Sequence, residues 1–178
     1  MSVLRRSVRA LVAAALLLSV LAPAALAQTT VVILVRHGER EDASQDPGLS
    51  TAGQARASAL VDVVKDAGVT AIYHTQYRRT RDTAAPVAAA LHIEMTEIGP
   101  KQGEAAAAHA AAVAADILLK HAGSTVLVVG HSNTVPLIAA ALGVKDPPAI
   151  AETEYSRVYT VVKKDAQPGR LIVSRYGS

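Results

Sequence analysis

Two short runs of β-branched and aliphatic residues constrain the fold more than any other feature of the sequence. They are TVVILV at Thr30–Val35 and TVLVV at Thr125–Val129. Both runs are almost wholly apolar, which is typical of strands that are buried on both faces, as in a parallel sheet covered by helices. We therefore expect both runs to lie at the centre of a parallel sheet.

Helical and strand patterns alternate along the rest of the chain. Helices are indicated by capping residues, apolar spacing or alanine content, and strands by short apolar runs that end at turns. The predicted elements are a helix capped by Ser50 or Thr51 and running to Val64, a strand at Val69–His74, a helix at Arg79–Leu91, a strand at Ile93–Ile98, helices at Glu104–Lys120 and Asn133–Leu142, and strands at Val158–Val162 and Leu171–Ser174. This alternation predicts an α/β fold, a three-layer α/β/α sandwich with a mostly parallel sheet, in which the last two strands are antiparallel additions.

The first 27 residues have the pattern of a secretory signal peptide. Three arginines precede a predominantly apolar run at 10–21, and the segment ends in the sequence ALA at 25–27. The run is too short to span a bilayer comfortably, so cleavage after Ala27 is expected rather than a membrane anchor. The prediction is an exported protein, periplasmic or secreted, without stable membrane insertion, whose residues 28–178 form a single catalytic domain.

Composition narrows the classes of partner and chemistry. The chain has 18 basic residues, three of them in the leader, so the remainder carries 15 against 15 acidic residues and gives no support for nucleic-acid binding. The absence of cysteine excludes disulfides, a thiolate zinc site and a cysteine nucleophile. There is no Trp or Phe from which to build a base-stacking platform. A small-molecule or phosphoryl substrate is the better match.

Basic side chains follow three of the predicted strands. The segments are RHGER at 36–40, TQYRR at 75–79 and GHSNT at 130–134. In open α/β sheets ligands collect outside the carboxyl ends of the strands, so these groups are expected at one edge of the sheet. Like charges held together repel each other, and a bound phosphate would remove that conflict because arginine offers forked, permanently charged donors. The residues expected to share this phosphate site are Arg36, His37, His131 and an arginine of the segment at 75–79.

Four motifs resemble those of the histidine phosphatase (phosphoglycerate mutase-like) superfamily. RHG at 36–38 is similar to the motif that names the family, and LSTAGQARA at 49–57 resembles its L-S/T-x-x-G segment. The run at 75–84 resembles the family's S-P-x-x-R-A-x-Q-T-A helix start, and GH at 130–131 corresponds to its second histidine motif. The chain departs from the pattern at Gln76, Thr80 and Asp82, which we expect to be helix-surface positions.

The resemblance implies a metal-independent, cofactor-independent phosphomonoester hydrolase of the histidine acid phosphatase type. A neutral nitrogen of His37 would attack phosphorus while Arg36, Arg79 and a protonated His131 stabilise the phosphoryl oxygens. Water would then hydrolyse the phosphohistidine. The substrate would be a small-molecule or surface phosphomonoester.

Further contacts to phosphate are expected from residues beside the two histidines. Gly38 would let the backbone approach the ligand closely, and Ser132 and Asn133 would contribute donors near the start of the next helix. Arg40 and His74 also lie near enough in sequence to contribute.

The general acid is left open by the sequence. Ser132 follows His131, so the arrangement in which an aspartate directly follows the second histidine is absent. Glu97, at the end of a possible strand, is the favoured acid, and Glu94 and Glu104 remain alternatives. The missing acid keeps open a phosphate-binding or regulatory module with weak or no turnover. A serine hydrolase is disfavoured because GHSNT lacks the second glycine of a nucleophile elbow.

Overall fold

The computed structural model describes residues 28–177. The predicted signal peptide, residues 1–27, and Ser178 lie outside the described residues. Within residues 28–177 the strands are β1 (Thr29–Arg36), β2 (Val69–His74), β3 (Met95–Glu97), β4 (Thr125–Gly130), β5 (Arg157–Lys164) and β6 (Arg170–Arg175). The helices are α1 (Thr51–Val64), α2 (Arg78–Leu91), α3 (Ala106–Lys120) and α4 (Val135–Ala141).

The six strands of this part of the chain form one mixed sheet in the order β3-β2-β4-β1-β5-β6. Strands β1 to β4 run parallel, whereas β5 pairs antiparallel with β1 and β6 pairs antiparallel with β5. The predicted central runs, β1 and β4, are neighbours in the middle of the sheet, as expected. Their register sets Arg36 opposite Gly130, so the RHG and GHS segments leave the sheet side by side.

Helices cover both faces of the sheet, which confirms the three-layer architecture. Val32 and Leu34 of β1 belong to the apolar cluster that also contains side chains of α3 and α4. Ile33 and Val35 belong to the opposite cluster, with side chains of α1 and α2. Because successive side chains of a strand point to opposite faces, a wholly apolar strand supplies both cores. Each such buried aliphatic side chain contributes about 1.5–3 kcal/mol of transfer free energy.

The predicted helices are present, with small differences at their ends. Ser50 caps α1 as expected, since its Oγ accepts a hydrogen bond from the Gly53 N–H at 3.1 Å. Helix α3 begins two residues later than predicted because Glu104 lies in a turn whose N–H bonds to the carbonyl of Lys101. Helix α4 begins at Val135, after a turn in which Thr134 Oγ1 accepts from the His131 N–H. None of the helices within residues 28–177 combines the length and apolar character needed to cross a bilayer.

Candidate active site

A cavity of about 440 Å³ opens at the carboxyl edge of the sheet, beyond the ends of β1, β2 and β4. The residues predicted to share a phosphate site all line it: Arg36, His37, Arg79 and His131, together with Ser132 and Asn133. The parallel arrangement of the strands explains why residues almost 100 positions apart meet here. Arg40 also lines the cavity, whereas His74 does not.

His37 is buried, and one of its ring nitrogens is already hydrogen-bonded to the main chain. Its Nδ1 lies 2.7 Å from the carbonyl oxygen of Gly38, which can only accept, so Nδ1 carries the proton. Nε2 therefore holds the lone pair of the neutral ring. Burial lowers the pKa of His37 to about 4, and the nearby guanidinium groups of Arg36 and Arg79 oppose protonation further. At pH 7 the side chain is a neutral imidazole with an available nucleophilic nitrogen.

His131 lies beside His37 and is fixed by two threonines. The ring centroids of the two histidines are 5.3 Å apart. Thr80 Oγ1 donates to main-chain carbonyls, so Thr75 Oγ1, 2.9 Å away, donates to Thr80. Thr75 Oγ1 is then the acceptor for the His131 Nε2–H at 3.1 Å. The expectation that Thr80 is a surface residue was wrong, because its side chain is fully buried in this chain of hydrogen bonds.

The protonation state of His131 differs from the sequence-based expectation. Burial lowers its pKa to about 3, and His37, Arg79 and Arg36 add to the effect. The ring is consequently neutral at pH 7 in the described structure, not protonated. The negative charge of a phosphate beside the ring would favour its charged form and raise this pKa.

Arg79 lines the cavity and has unused hydrogen-bond donors. It lies in the first turn of α2, with its guanidinium carbon 4.1 Å from the centroid of the Tyr77 ring. Its Nε and NH1 are buried and have no hydrogen-bond partner within residues 28–177, and the Asp46 carboxylate is 4.0 Å from NH1. Leaving buried donors unpaired costs free energy. An anion with several acceptor oxygens would satisfy them.

Arg36, in contrast, is held by a segment that the sequence did not connect with it. Its NH1 donates to the carbonyl oxygens of Ala151, Glu152 and Glu154 at 2.7–3.2 Å, and its NH2 donates to Glu152 Oε2 at 3.0 Å. The Tyr155 ring stacks on the guanidinium at 4.0 Å. We call residues 151–155 the Arg36-binding segment.

Gly38 has a different role from the one expected. Its N–H donates to Thr83 Oγ1 at 2.9 Å, so this donor is not free for phosphate. A Cβ atom at Gly38 would lie 2.8 Å from the carbonyl oxygen of Gly53, and one at Gly53 would lie 2.3 Å from that of Glu39. Both glycines are required because the start of α1 packs directly against the backbone that follows His37.

Of the three candidate acids, only one lines the cavity. Glu97 ends β3 opposite His74 with an exposed side chain, and neither it nor Glu94 contributes to the cavity wall. Glu104 does, with its Oε2 3.7 Å from Nδ1 of the buried His109. His109 was missed because it lies in an alanine-rich stretch that sequence analysis interpreted only as a helix. The sequence carried no signal for this pair, because residues five positions apart do not share a helix face.

Fold and site together define an α/β protein in which three histidines and three arginines line one cavity at the carboxyl edge of the sheet. Within residues 28–177 no group of three or more His, Asp or Glu side chains is arranged to hold a metal ion. A family model of the histidine phosphatase superfamily (branch 1) matches residues 32–99. The matched segment contains the RHG and LSTAG motifs, and over it the chain is similar to this superfamily.

Solved structures with the same fold cover most of the chain. The mycobacterial glucosyl-3-phosphoglycerate phosphatase Rv2419c aligns over 84% of this chain and 100% of its own, with 16% identity and a TM-score of 0.68. YhfR of Bacillus stearothermophilus aligns over 84% and 98%, with 21% identity and a TM-score of 0.66. A Nakamurella multipartitia protein described as phosphohistidine phosphatase SixA aligns over 85% and 99%, with 22% identity and a TM-score of 0.61. No curated protein sequence matches the chain significantly.

Proposed function

We propose that this protein is a phosphomonoester hydrolase that works through a covalent phosphohistidine on His37. The observation that carries the proposal is the state of the His37 ring: Nδ1 is bonded to a carbonyl, Nε2 is free, and a pKa of about 4 keeps the ring neutral. Arg79, which lines the same cavity, has unpaired donors. A neutral nucleophile beside free guanidinium donors matches the needs of an in-line attack on phosphorus.

The first step forms the phosphohistidine. The lone pair of His37 Nε2 attacks phosphorus, and the bond from phosphorus to the ester oxygen breaks. Arg79 and the remaining donors of Arg36 stabilise the charge on the phosphoryl oxygens, and they supply positive charge that a metal ion provides in other phosphoryl-transfer enzymes. His131 takes up a proton as the phosphate binds and then donates to one of these oxygens. The leaving oxygen receives its proton from Glu104.

The second step regenerates the enzyme. Water attacks phosphorus from the side vacated by the leaving group and gives a proton to the Glu104 carboxylate. The bond between phosphorus and Nε2 breaks, its electron pair returns to the ring, and inorganic phosphate is released. His109 also lines the cavity, with its Nδ1 3.7 Å from Oε2 of Glu104.

The relatives support phosphatase chemistry on this fold without defining a substrate. Two are described as phosphatases, one of glucosyl-3-phosphoglycerate and one of phosphohistidine. We propose a small phosphomonoester dianion for this protein, since three arginines line a cavity of about 440 Å³. Hydrolysis of p-nitrophenyl phosphate in the presence of EDTA tests the proposal. Phosphate release that requires an added divalent metal would contradict it.

Glu104→Gln tests the assignment of the acid through the choice of substrate. We expect kcat for alkyl phosphates to fall by about 10²–10⁴-fold, the usual contribution of a general acid. The loss should be much smaller for p-nitrophenyl phosphate, because a stable phenolate departs without protonation. Glu97→Gln is the matched control and should leave both rates unchanged. If Glu97→Gln produces the selective loss instead, Glu97 is the acid and the assignment of Glu104 is wrong.

We also propose that the protein is exported and that residues 28–178 are its catalytic domain. The support comes from the arginine-rich start, apolar run and ALA ending of the first 27 residues. We expect the exported protein to begin at Gln28, which N-terminal sequencing checks. An exported product that keeps its first 27 residues would show that the leader is not cleaved.

A further inference from the structure

We propose that Glu152 determines how tightly the active site holds phosphate, because its carboxylate competes with the phosphate for donors of Arg36 and Ser132. This inference rests on the proposed function and extends it to the release of the product. Glu152 is more than 110 positions away from Arg36 in the sequence, and no motif points to it.

The carboxylate of Glu152 bridges two residues that were predicted to bind phosphate. Its Oε2 accepts from Arg36 NH2 at 3.0 Å, and its Oε1 accepts from Ser132 Oγ at 2.5 Å. All three residues line the cavity that also contains His37. The hydrogen bond from Ser132 and the charge of Arg36 hold the pKa of Glu152 below its usual value, so the group is ionised at pH 7. The Glu152 carboxylate therefore occupies hydrogen-bond donors of Arg36 and Ser132 that the phosphoryl group of a substrate would use.

Few donors of Arg36 remain for a ligand. Its NH1 is committed to three main-chain carbonyls of the Arg36-binding segment. Its Nε is buried and has no partner within residues 28–177, and its NH2 is shared with Glu152. Carboxylate and phosphate oxygens seek the same forked guanidinium donors. A phosphate that binds with both Nε and NH2 must share NH2 with Glu152 or displace it.

The position of Arg36 does not depend on the charge of Glu152. Carbonyl oxygens from three residues hold NH1, and the Tyr155 ring covers the guanidinium face. The Glu152 side chain is 77% exposed, so it can turn towards solvent when a phosphate arrives. Removing its charge should consequently free donors without releasing Arg36.

A carboxylate beside Arg36 would help catalysis by promoting release of the product. Arg36, Arg40 and Arg79 all line the cavity, and a cavity so rich in positive charge would retain inorganic phosphate after each turnover. Glu152 opposes this retention because its carboxylate repels the phosphate and competes with it for the donors of Arg36 and Ser132. The structure thus contains a group that weakens product binding.

Glu152→Gln tests the inference, because glutamine keeps the shape of the side chain and removes its charge. Calorimetric titration with inorganic phosphate should give a Kd about tenfold lower than that of the wild-type protein. Competitive inhibition of p-nitrophenyl phosphate hydrolysis by phosphate should strengthen by the same factor. Glu152→Ala, which also removes the hydrogen bonds, should tighten binding as well. Asp62→Asn, at an exposed residue of α1, controls for the change in net charge and should leave Kd unaltered.

Each result decides between the alternatives. If phosphate binds unchanged to both Glu152 variants, the inference is wrong. Weaker binding to both also contradicts it and would show that Glu152 positions Arg36 for the ligand. If phosphate binds to neither the wild-type protein nor the variants, the phosphate site and the inference both fail. If phosphate binds more tightly to the variants but no protein hydrolyses phosphomonoesters, the inference stands and the proposed function fails.

Discussion

His37→Ala lowers kcat/KM for p-nitrophenyl phosphate by about 10⁴-fold or more, because the variant has no group to accept the phosphoryl group. This is the largest effect that the mechanism predicts. Inorganic phosphate should still bind, since its donors come from Arg36, Arg79 and the residues around His131. Steady-state kinetics and calorimetric titration of the same preparation separate the two properties.

The matched control for this variant is another histidine. His92 ends α2, is exposed and has a positive φ of 55°, a conformation that asparagine also tolerates. His92→Asn should therefore keep the wild-type rate. A His37→Ala protein that still hydrolyses the substrate at more than a few per cent of the wild-type rate would mean that another residue is the nucleophile.

Replacement of Arg79 also has a large expected effect: it lowers activity while leaving stability unchanged or raising it. Arg79→Ala should lower kcat/KM by about 10²–10³-fold, as expected when a group that stabilises transition-state charge is removed. Arg79→Lys should recover only part of this loss, because an ammonium group keeps the charge but not the forked geometry. Kinetics with p-nitrophenyl phosphate measure both losses.

The free energy of unfolding tests the role of Arg79 independently of the kinetics. Two nitrogens of Arg79 are buried without partners within residues 28–177, so its removal also removes a desolvation cost. We expect Arg79→Ala to be as stable as the wild-type protein or more stable in urea, and to gain less stability from added phosphate. Arg81→Ala, at an exposed position of the same helix, is the control. A large loss of stability with unchanged KM would show that Arg79 is a structural residue.

The central part of the fold and the basic half of the site could be predicted from sequence because their signals are local. A strand such as TVVILV must be buried on both faces, and the residues after it must appear at the carboxyl edge of the sheet. Arg36 and His37 follow directly from this reasoning, and His131 follows from the same reasoning applied to β4. The register between Arg36 and Gly130 brings the two segments together.

The acidic half of the site could not be predicted because it depends on how distant segments fold back. The Arg36-binding segment contacts Arg36 largely through main-chain carbonyls, which every residue possesses, so no side-chain pattern marks it. Glu97 was favoured from its place at the end of a strand, but β3 is a short edge strand and the chain places Glu104 at the cavity instead. Thr80 was assigned to the surface, but its side chain is hydrogen-bonded to Thr75, which precedes the helix.

The most direct test of the mechanism is detection of the phosphorylated enzyme. A single turnover with excess enzyme is quenched in alkali, where phosphohistidine survives, and the peptide that contains His37 is analysed by mass spectrometry. The mechanism predicts one phosphoryl group on His37 that forms before phosphate is released and is absent from His37→Ala. Turnover without any phosphoryl group on His37 would contradict the covalent mechanism. Phosphate binding without turnover of any aryl phosphate would instead identify a phosphate-binding module on this fold.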